Sequence, residues 1–140
     1  MTTLDSIPSR DCCTTTRAVV VIAAVATAVA INLLIYAVGR LAGGDFSFTQ
    51  DQATAQVDAL TVAGFSAVPL GLGLTLVALL VRRIPWIASI AMVIAPVIAI
   101  ATIAIMTIPV DLDAVSTLTL ATCHLTLAPI SVIAVRRLRH

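Results

Sequence analysis

The sequence contains no lysine and no glutamate, so arginine and aspartate supply all of its side-chain charge apart from its two histidines. Charged residues make up 11% of the 140 residues and hydrophobic residues 60%, whereas a soluble domain is roughly a quarter charged and half apolar. The formal net charge of +1 provides no basic field that would attract nucleic acid. This balance indicates an integral membrane protein and predicts no nucleic-acid partner.

Aromatic residues are also scarce, at 4%, and no polar–apolar alternation of the kind found in membrane barrels is present. Uncharged runs long enough to cross a hydrocarbon core of about 30 Å occur four times, at residues 18–39, 59–81, 87–108 and 114–135. Because the connections after the second and third runs are short, these runs predict an all-α membrane bundle of four transmembrane helices, arranged up-down-up-down. We expect one transmembrane domain over residues 18–138, preceded by a flexible tail over residues 1–17.

The arginines are divided unequally between the two ends of the predicted spans. Seven of the eight share one side, namely Arg10, Arg17, Arg82, Arg83, Arg136, Arg137 and Arg139. Since positively charged loops stay inside, both termini are predicted to lie in the cytoplasm of a plasma-membrane protein. The first span is expected to be retained, because its apolar stretch exceeds the roughly 7 to 15 residues of a cleaved signal peptide.

Residues that carry chemistry are few. The three cysteines are Cys12, Cys13 and Cys123, a spacing that forms neither a metal site nor a disulfide framework. No phosphate-binding loop, Ser-His-Asp set or paired carboxylate is present. The sequence therefore predicts no enzyme, no catalytic residues, no cofactor and no metal.

The connections carry helix-start signals. Thr49 with Gln52 three residues later matches a capping box, which predicts that the second helix begins near Gln50. Asp51 and Asp58 would then lie on one exposed helical face outside the bilayer. In the last connection, Asp111 or Asp113 is expected to cap the fourth helix.

A small number of polar side chains interrupt the apolar spans. Asn32 shares a helix face with Tyr36, and His124 shares one with Ser131, so both faces are predicted to meet protein rather than lipid. Asn32, Tyr36 and His124 form the candidate intramembrane polar cluster. No chemistry is assigned to Thr119, Thr122 and Thr126, because a threonine hydroxyl can bond a carbonyl one turn earlier in its own helix.

Three prolines, Pro69, Pro96 and Pro129, lie inside the predicted spans and are expected to kink them. Each leaves the carbonyl four residues earlier without its helical donor, namely those of Phe65, Met92 and Leu125. The primary hypothesis is that neutral His124, at a similar depth, donates an N–H to one of these carbonyls. The alternatives are a polar group lining a small-molecule cavity and a redox or metal ligand.

Two segments carry a family resemblance: "AINLLIYAVGRLAGGDF" at 30–46, with its Asn and Tyr, and "LATCHLTLAPISV" at 120–132, with its central His. Over residues 18–138 the chain resembles the domain-of-unknown-function 6069 family of small actinobacterial four-helix membrane proteins. The resemblance implies a four-helix topology and supplies no activity.

Two functions are consistent with these features. The first is a non-enzymatic accessory or scaffold subunit of a membrane assembly, with the lipid bilayer and other membrane proteins or further copies of itself as partners. The alternative is a binder or carrier of a small apolar molecule or lipid, held in a midplane pocket near His124. A close-packed bundle without such a pocket would count against the alternative.

Overall fold

The computed structural model describes residues 10–50 and 53–139, which are mostly helical. The helices are α1 (Arg10–Leu41), α2 (Ala59–Leu80), α3 (Ile87–Thr102) and α4 (Ala114–Leu138), and a π-helical segment, Ile103–Thr107, continues α3. Within the described residues, four helices are long and apolar enough to cross a membrane. The prediction of four helical candidate spans is therefore confirmed.

Local capping explains where α2 and α4 begin. Asp58 precedes α2 and accepts a hydrogen bond from the Thr61 N–H at 2.7 Å. Asp113 precedes α4 and accepts from the N–H groups of Val115 and Ser116, both at 3.0 Å. These carboxylates satisfy amide groups that have no partner inside the helix. Of the two residues predicted as possible caps of α4, Asp111 and Asp113, it is Asp113 that forms the cap.

Helix α1 begins at Arg10, inside the segment 1–17 for which a flexible tail is predicted. No glycine or proline occurs between Arg10 and Leu34, so nothing local ends the helix upstream of the span. Residues 1–9 lie outside the described part of the chain.

A two-stranded β-hairpin replaces the helix start predicted near Gln50. Strand β1 (Ser47–Gln50) pairs antiparallel with β2 (Ala53–Gln56), and Asp51 and Gln52 lie outside the described residues. The capping-box prediction is wrong, because the cap of α2 forms at Asp58 and the Phe- and Thr-containing segment before it suits a strand. Asp58 is thus a cap and not part of the exposed helical face that was predicted to include Asp51 and Asp58. The predicted all-α class is corrected to a mostly helical fold with one β-hairpin.

Phe46 anchors the hairpin to the end of the helices. Its side chain is fully buried, and its ring lies 4.7 Å from the ring of Tyr36. Its N–H donates to the Ser116 hydroxyl at 2.9 Å, and the Tyr36 hydroxyl donates to the Val57 carbonyl at 3.0 Å. Phe46 adopts a φ of 59°, an unfavourable angle for a bulky residue, so these contacts must hold it in place. The hairpin is therefore fixed beside the first turn of α4.

The helices pack unevenly around α4. Helix α1 packs against α2 and α4, and α3 packs against α4, whereas the consecutive helices α2 and α3 make the least contact of the touching helix pairs. Small and aliphatic side chains fill the core where the helices meet, including Ala28, Leu74 and Leu138. Because α2 and α3 diverge, a groove remains between them with α4 as its floor.

Candidate functional site

The groove between α2 and α3 consists of two adjoining chambers. The hairpin chamber, of about 390 Å³, is bounded by the hairpin, α2, the π-helical segment and α4. The apolar chamber, of about 560 Å³, is bounded by α2, α3 and α4. Both chambers are lined by Phe65, Thr102, Met106, His124 and Leu127, which mark their junction. Each volume lies in the range of roughly 300 to 1,000 Å³ that is typical of small-molecule sites.

Small residues keep the apolar chamber open. Gly73 of α2 and Ala91, Ala95 and Ala99 of α3 line it. A Cβ atom added at Gly73 would meet nothing within 4 Å, so this glycine faces open space. Larger side chains at these positions would occupy the chamber, so its volume depends directly on local sequence.

The π-helical segment shapes the wall between the chambers. Its register is defined by the Ile108 N–H, which donates to the Ile103 carbonyl at 3.0 Å, five residues earlier. Thr102, just before it, and Met106, within it, both line the junction. Single π-helical turns are rare and occur frequently at functional sites, because the extra residue re-aims the side chains that follow.

His124 lies near the middle of α4 and lines both chambers. Its Nδ1 atom is 2.8 Å from the carbonyl oxygen of Leu120, one turn earlier in the same helix. A carbonyl oxygen only accepts, so Nδ1 donates the hydrogen. The prediction that His124 would donate to a proline-freed carbonyl is wrong, because Leu120 is four residues before His124 rather than before a proline.

Asn32 joins three helices through its amide group. Its side chain is only 1% exposed. Its Nδ2 atom donates to the Ser66 hydroxyl of α2 at 2.7 Å, and its Oδ1 atom accepts from the Thr126 hydroxyl of α4 at 2.6 Å. The Cys123 thiol of α4 also donates to the Asn32 backbone carbonyl, at 3.7 Å. Both polar atoms of the Asn32 side chain therefore make a bond to another helix, Nδ2 to α2 and Oδ1 to α4.

Three members of this network, Ser66, Cys123 and Thr126, lie outside the cluster predicted from sequence. Thr126 was assigned no chemistry because its hydroxyl can bond its own helix, and it does lie 2.8 Å from the Cys123 carbonyl. A buried asparagine needs both a hydrogen-bond donor and an acceptor among the side chains at its own depth in the membrane. This requirement is the signal that could have identified Thr126 as a partner of Asn32.

The predicted polar cluster is divided between two places. Asn32 and His124 both line the hairpin chamber, whereas Tyr36 lines neither chamber and bonds to Val57 beside the hairpin. Pro69 lines the apolar chamber, while Pro96 and Pro129 lie inside α3 and α4 away from both. Over residues 10–50 and 53–139, no group of three or more His, Cys, Asp or Glu side chains is placed to hold a metal ion.

Carboxylates gather where the hairpin meets α4, outside both chambers. Asp113 accepts from the Asp45 N–H at 3.2 Å, and Asp111 accepts from the Thr49 N–H at 2.9 Å. The Ser116 hydroxyl, with further N–H donors, lowers the pKa of Asp113 to about 2, and the Thr49 N–H lowers the pKa of Asp111. These ionised groups fasten the hairpin rather than line the groove.

No curated protein and no solved structure matches this chain. A family model described as a family of unknown function matches residues 13–140, a range that includes the segments around both Asn32 and His124. The family resemblance drawn from those segments is thereby confirmed. The chain belongs to the family of unknown function DUF6069.

Proposed function

We propose that this protein binds a lipid or another small apolar molecule in the groove between α2 and α3. The observation that supports this function is the pair of adjoining chambers with His124 at their junction. Apolar walls with a few placed polar groups are characteristic of small-molecule sites. The role is binding or carriage without catalysis.

The groove opens sideways, toward the surface that lipid would cover. Phe65 of α2 and Ile98 of α3, which both line the apolar chamber, are 64% and 58% exposed. Leu127 and Val135 of α4 lie behind them and line the apolar chamber. A ligand therefore enters from the bilayer between α2 and α3 without passing through water.

The same geometry favours a binding role over a purely structural scaffold. Gly73 on α2 and Ala95 on α3 are small enough to let the two helices approach closely, as small residues do in packed membrane bundles. The helices instead stay apart along the apolar chamber. A scaffold does not require this separation of α2 from α3, whereas a protein that binds a ligand between the two helices does.

We further infer an up-down-up-down topology in the plasma membrane, with both termini in the cytoplasm. The support is the arginine distribution, since Arg82 and Arg83 share one side with the arginines near both chain ends. In this orientation the hairpin lies on the outer side. The hairpin chamber then lies toward the outer surface and the apolar chamber toward the cytoplasmic one.

Two glycines of α2 allow a matched test. Gly73 lines the apolar chamber and Gly64 lines neither chamber, yet an added Cβ meets nothing within 4 Å at either position. The full chain in lipid nanodiscs is labelled with a diazirine-bearing hexadecanol, in competition with unlabelled hexadecanol. Gly73→Leu is expected to weaken the saturable labelling about tenfold, since filling a pocket by one or a few methylene groups has effects of this size.

Gly64→Leu is expected to label as the unchanged protein does, with adducts mapped by mass spectrometry to groove residues of α2, α3 and α4. Labelling that does not saturate would contradict the proposed function. Equal losses for Gly73→Leu and Gly64→Leu would also contradict it, because only Gly73 of these two lines the groove.

A further inference from the structure

We infer that the ligand is a long-chain membrane lipid with a free hydroxyl group, and that this hydroxyl donates a hydrogen bond to Nε2 of His124. The inference rests on the proposed function, because it specifies the chemistry of the molecule in the same groove. It follows from the direction of the hydrogen bonds at the junction of the two chambers.

A hydrogen bond within α4 determines which nitrogen of the His124 ring carries the hydrogen. Nδ1 carries the hydrogen that it donates to the Leu120 carbonyl at 2.8 Å. In a neutral imidazole only one nitrogen carries a hydrogen, so Nε2 is an acceptor. Among the described residues Nε2 has no hydrogen-bond partner, and His124 lines both chambers. The junction therefore presents an acceptor that a ligand donor satisfies.

Two hydroxyl groups that line the apolar chamber, those of Thr102 and Ser131, already donate within their own helix. Thr102, which lines both chambers, donates to the Ile98 carbonyl at 2.7 Å. Ser131, in the apolar chamber, donates to the Ala128 carbonyl at 2.8 Å. Pro69 has no N–H for the Phe65 carbonyl, which adds a second acceptor on a residue that lines the junction. A ligand with only acceptor groups, such as an ether or an ester, finds no matching donor in these three groups.

Charge restricts the ligand further. Neither chamber has an arginine or aspartate among its lining residues. An ionised phosphate, carboxylate or ammonium group placed there would lose its hydration without gaining a counter-ion, which is costly. A neutral hydroxyl avoids that cost, and its hydrocarbon chain fits the apolar chamber of about 560 Å³. The combination points to a long-chain alcohol.

The test compares two probes that differ by one methyl group on the oxygen, which removes the hydrogen-bond donor. Diazirine-bearing hexadecanol and its methyl ether have the same chain, but the ether has no hydrogen to donate. The unchanged protein in nanodiscs is expected to bind the alcohol about three- to tenfold more tightly, the difference that one hydrogen bond makes.

His124→Phe is expected to abolish this preference, and His124→Gln, whose amide oxygen accepts, is expected to retain part of it. Thr122→Val is the control, because its hydroxyl bonds the Leu118 carbonyl one turn earlier and Thr122 lines neither chamber. This variant is expected to keep the full preference.

The outcomes separate the two proposals. Saturable binding of both probes with equal affinity would overturn the hydroxyl inference and leave the proposed function standing. A preference that survives in His124→Phe would overturn the role of Nε2. Absence of saturable labelling by either probe would overturn the proposed function itself. Even if a variant does not fold, comparing the two probes on the wild-type protein tests whether the ligand site prefers a free hydroxyl group.

Discussion

Removal of the Thr126 hydroxyl is expected to destabilise the helix bundle by about 1 kcal/mol. In Thr126→Val the side chain keeps its shape, but Asn32 loses the donor that lies 2.6 Å from its Oδ1 atom. Hydrogen bonds between membrane helices average roughly 0.6 kcal/mol and reach about 1.7 kcal/mol. A value above that average applies here, because Asn32 is 1% exposed and has no solvent to replace the lost donor.

The measurement is the free energy of unfolding of the purified chain in mixed micelles, titrated with dodecyl sulfate and followed by circular dichroism. Thr122→Val is the matched control on the same helix. Its hydroxyl bonds the Leu118 carbonyl at 2.8 Å and makes no described bond to another helix. We expect a change of less than about 0.5 kcal/mol for this control.

A double-mutant cycle isolates the interaction between the two helices. Combining Asn32→Ala with Thr126→Val is expected to give a coupling energy of about 0.6 to 1.7 kcal/mol. The reasoning is refuted if Thr126→Val costs no more than Thr122→Val. A coupling energy of zero between Asn32 and Thr126 would refute it equally.

Two further predictions concern the hairpin and the orientation. Asp113→Ala should speed hydrogen exchange of the Asp45 amide and the first turn of α4, while β1–β2 amides exchange as before. Because folding lowers the Asp113 pKa from 3.8 to about 2, this docking contribution should be complete above pH 3.8 and lost as the pH falls toward 2. A protection factor of the Asp45 amide that stays constant over that interval, after correction for the intrinsic pH dependence of exchange, would contradict this. A fluorescent reporter that folds only in the cytoplasm should be bright when fused after residue 140, and a dark fusion would reverse the inferred orientation.

Local information was enough to predict the helices and one of their caps. The four apolar runs become helices because a segment in lipid must hydrogen-bond its own backbone N–H and C=O groups. Whether a segment is apolar and long enough to cross lipid depends only on its composition and length. A cap at Asp113 was predictable because it involves only backbone N–H groups two and three residues away.

The hairpin was not predictable, because a capping-box pattern at Thr49 competes with a cap at Asp58 and with distant contacts. Phe46 binds Ser116 across 70 positions of sequence, and Thr49 binds Asp111 across 62. Such contacts form only when α4 lies beside the hairpin, so no local sequence pattern predicts them.

The sequence by itself determined that Asn32 and His124 would need polar partners, because each interrupts an apolar span. Only the tertiary structure decided which partners they have. The divergence of α2 from α3 leaves His124 on the wall of a groove, and the approach of α1 to α4 brings Thr126 to Asn32. Both results depend on how whole helices pack, which the residues of one span cannot specify.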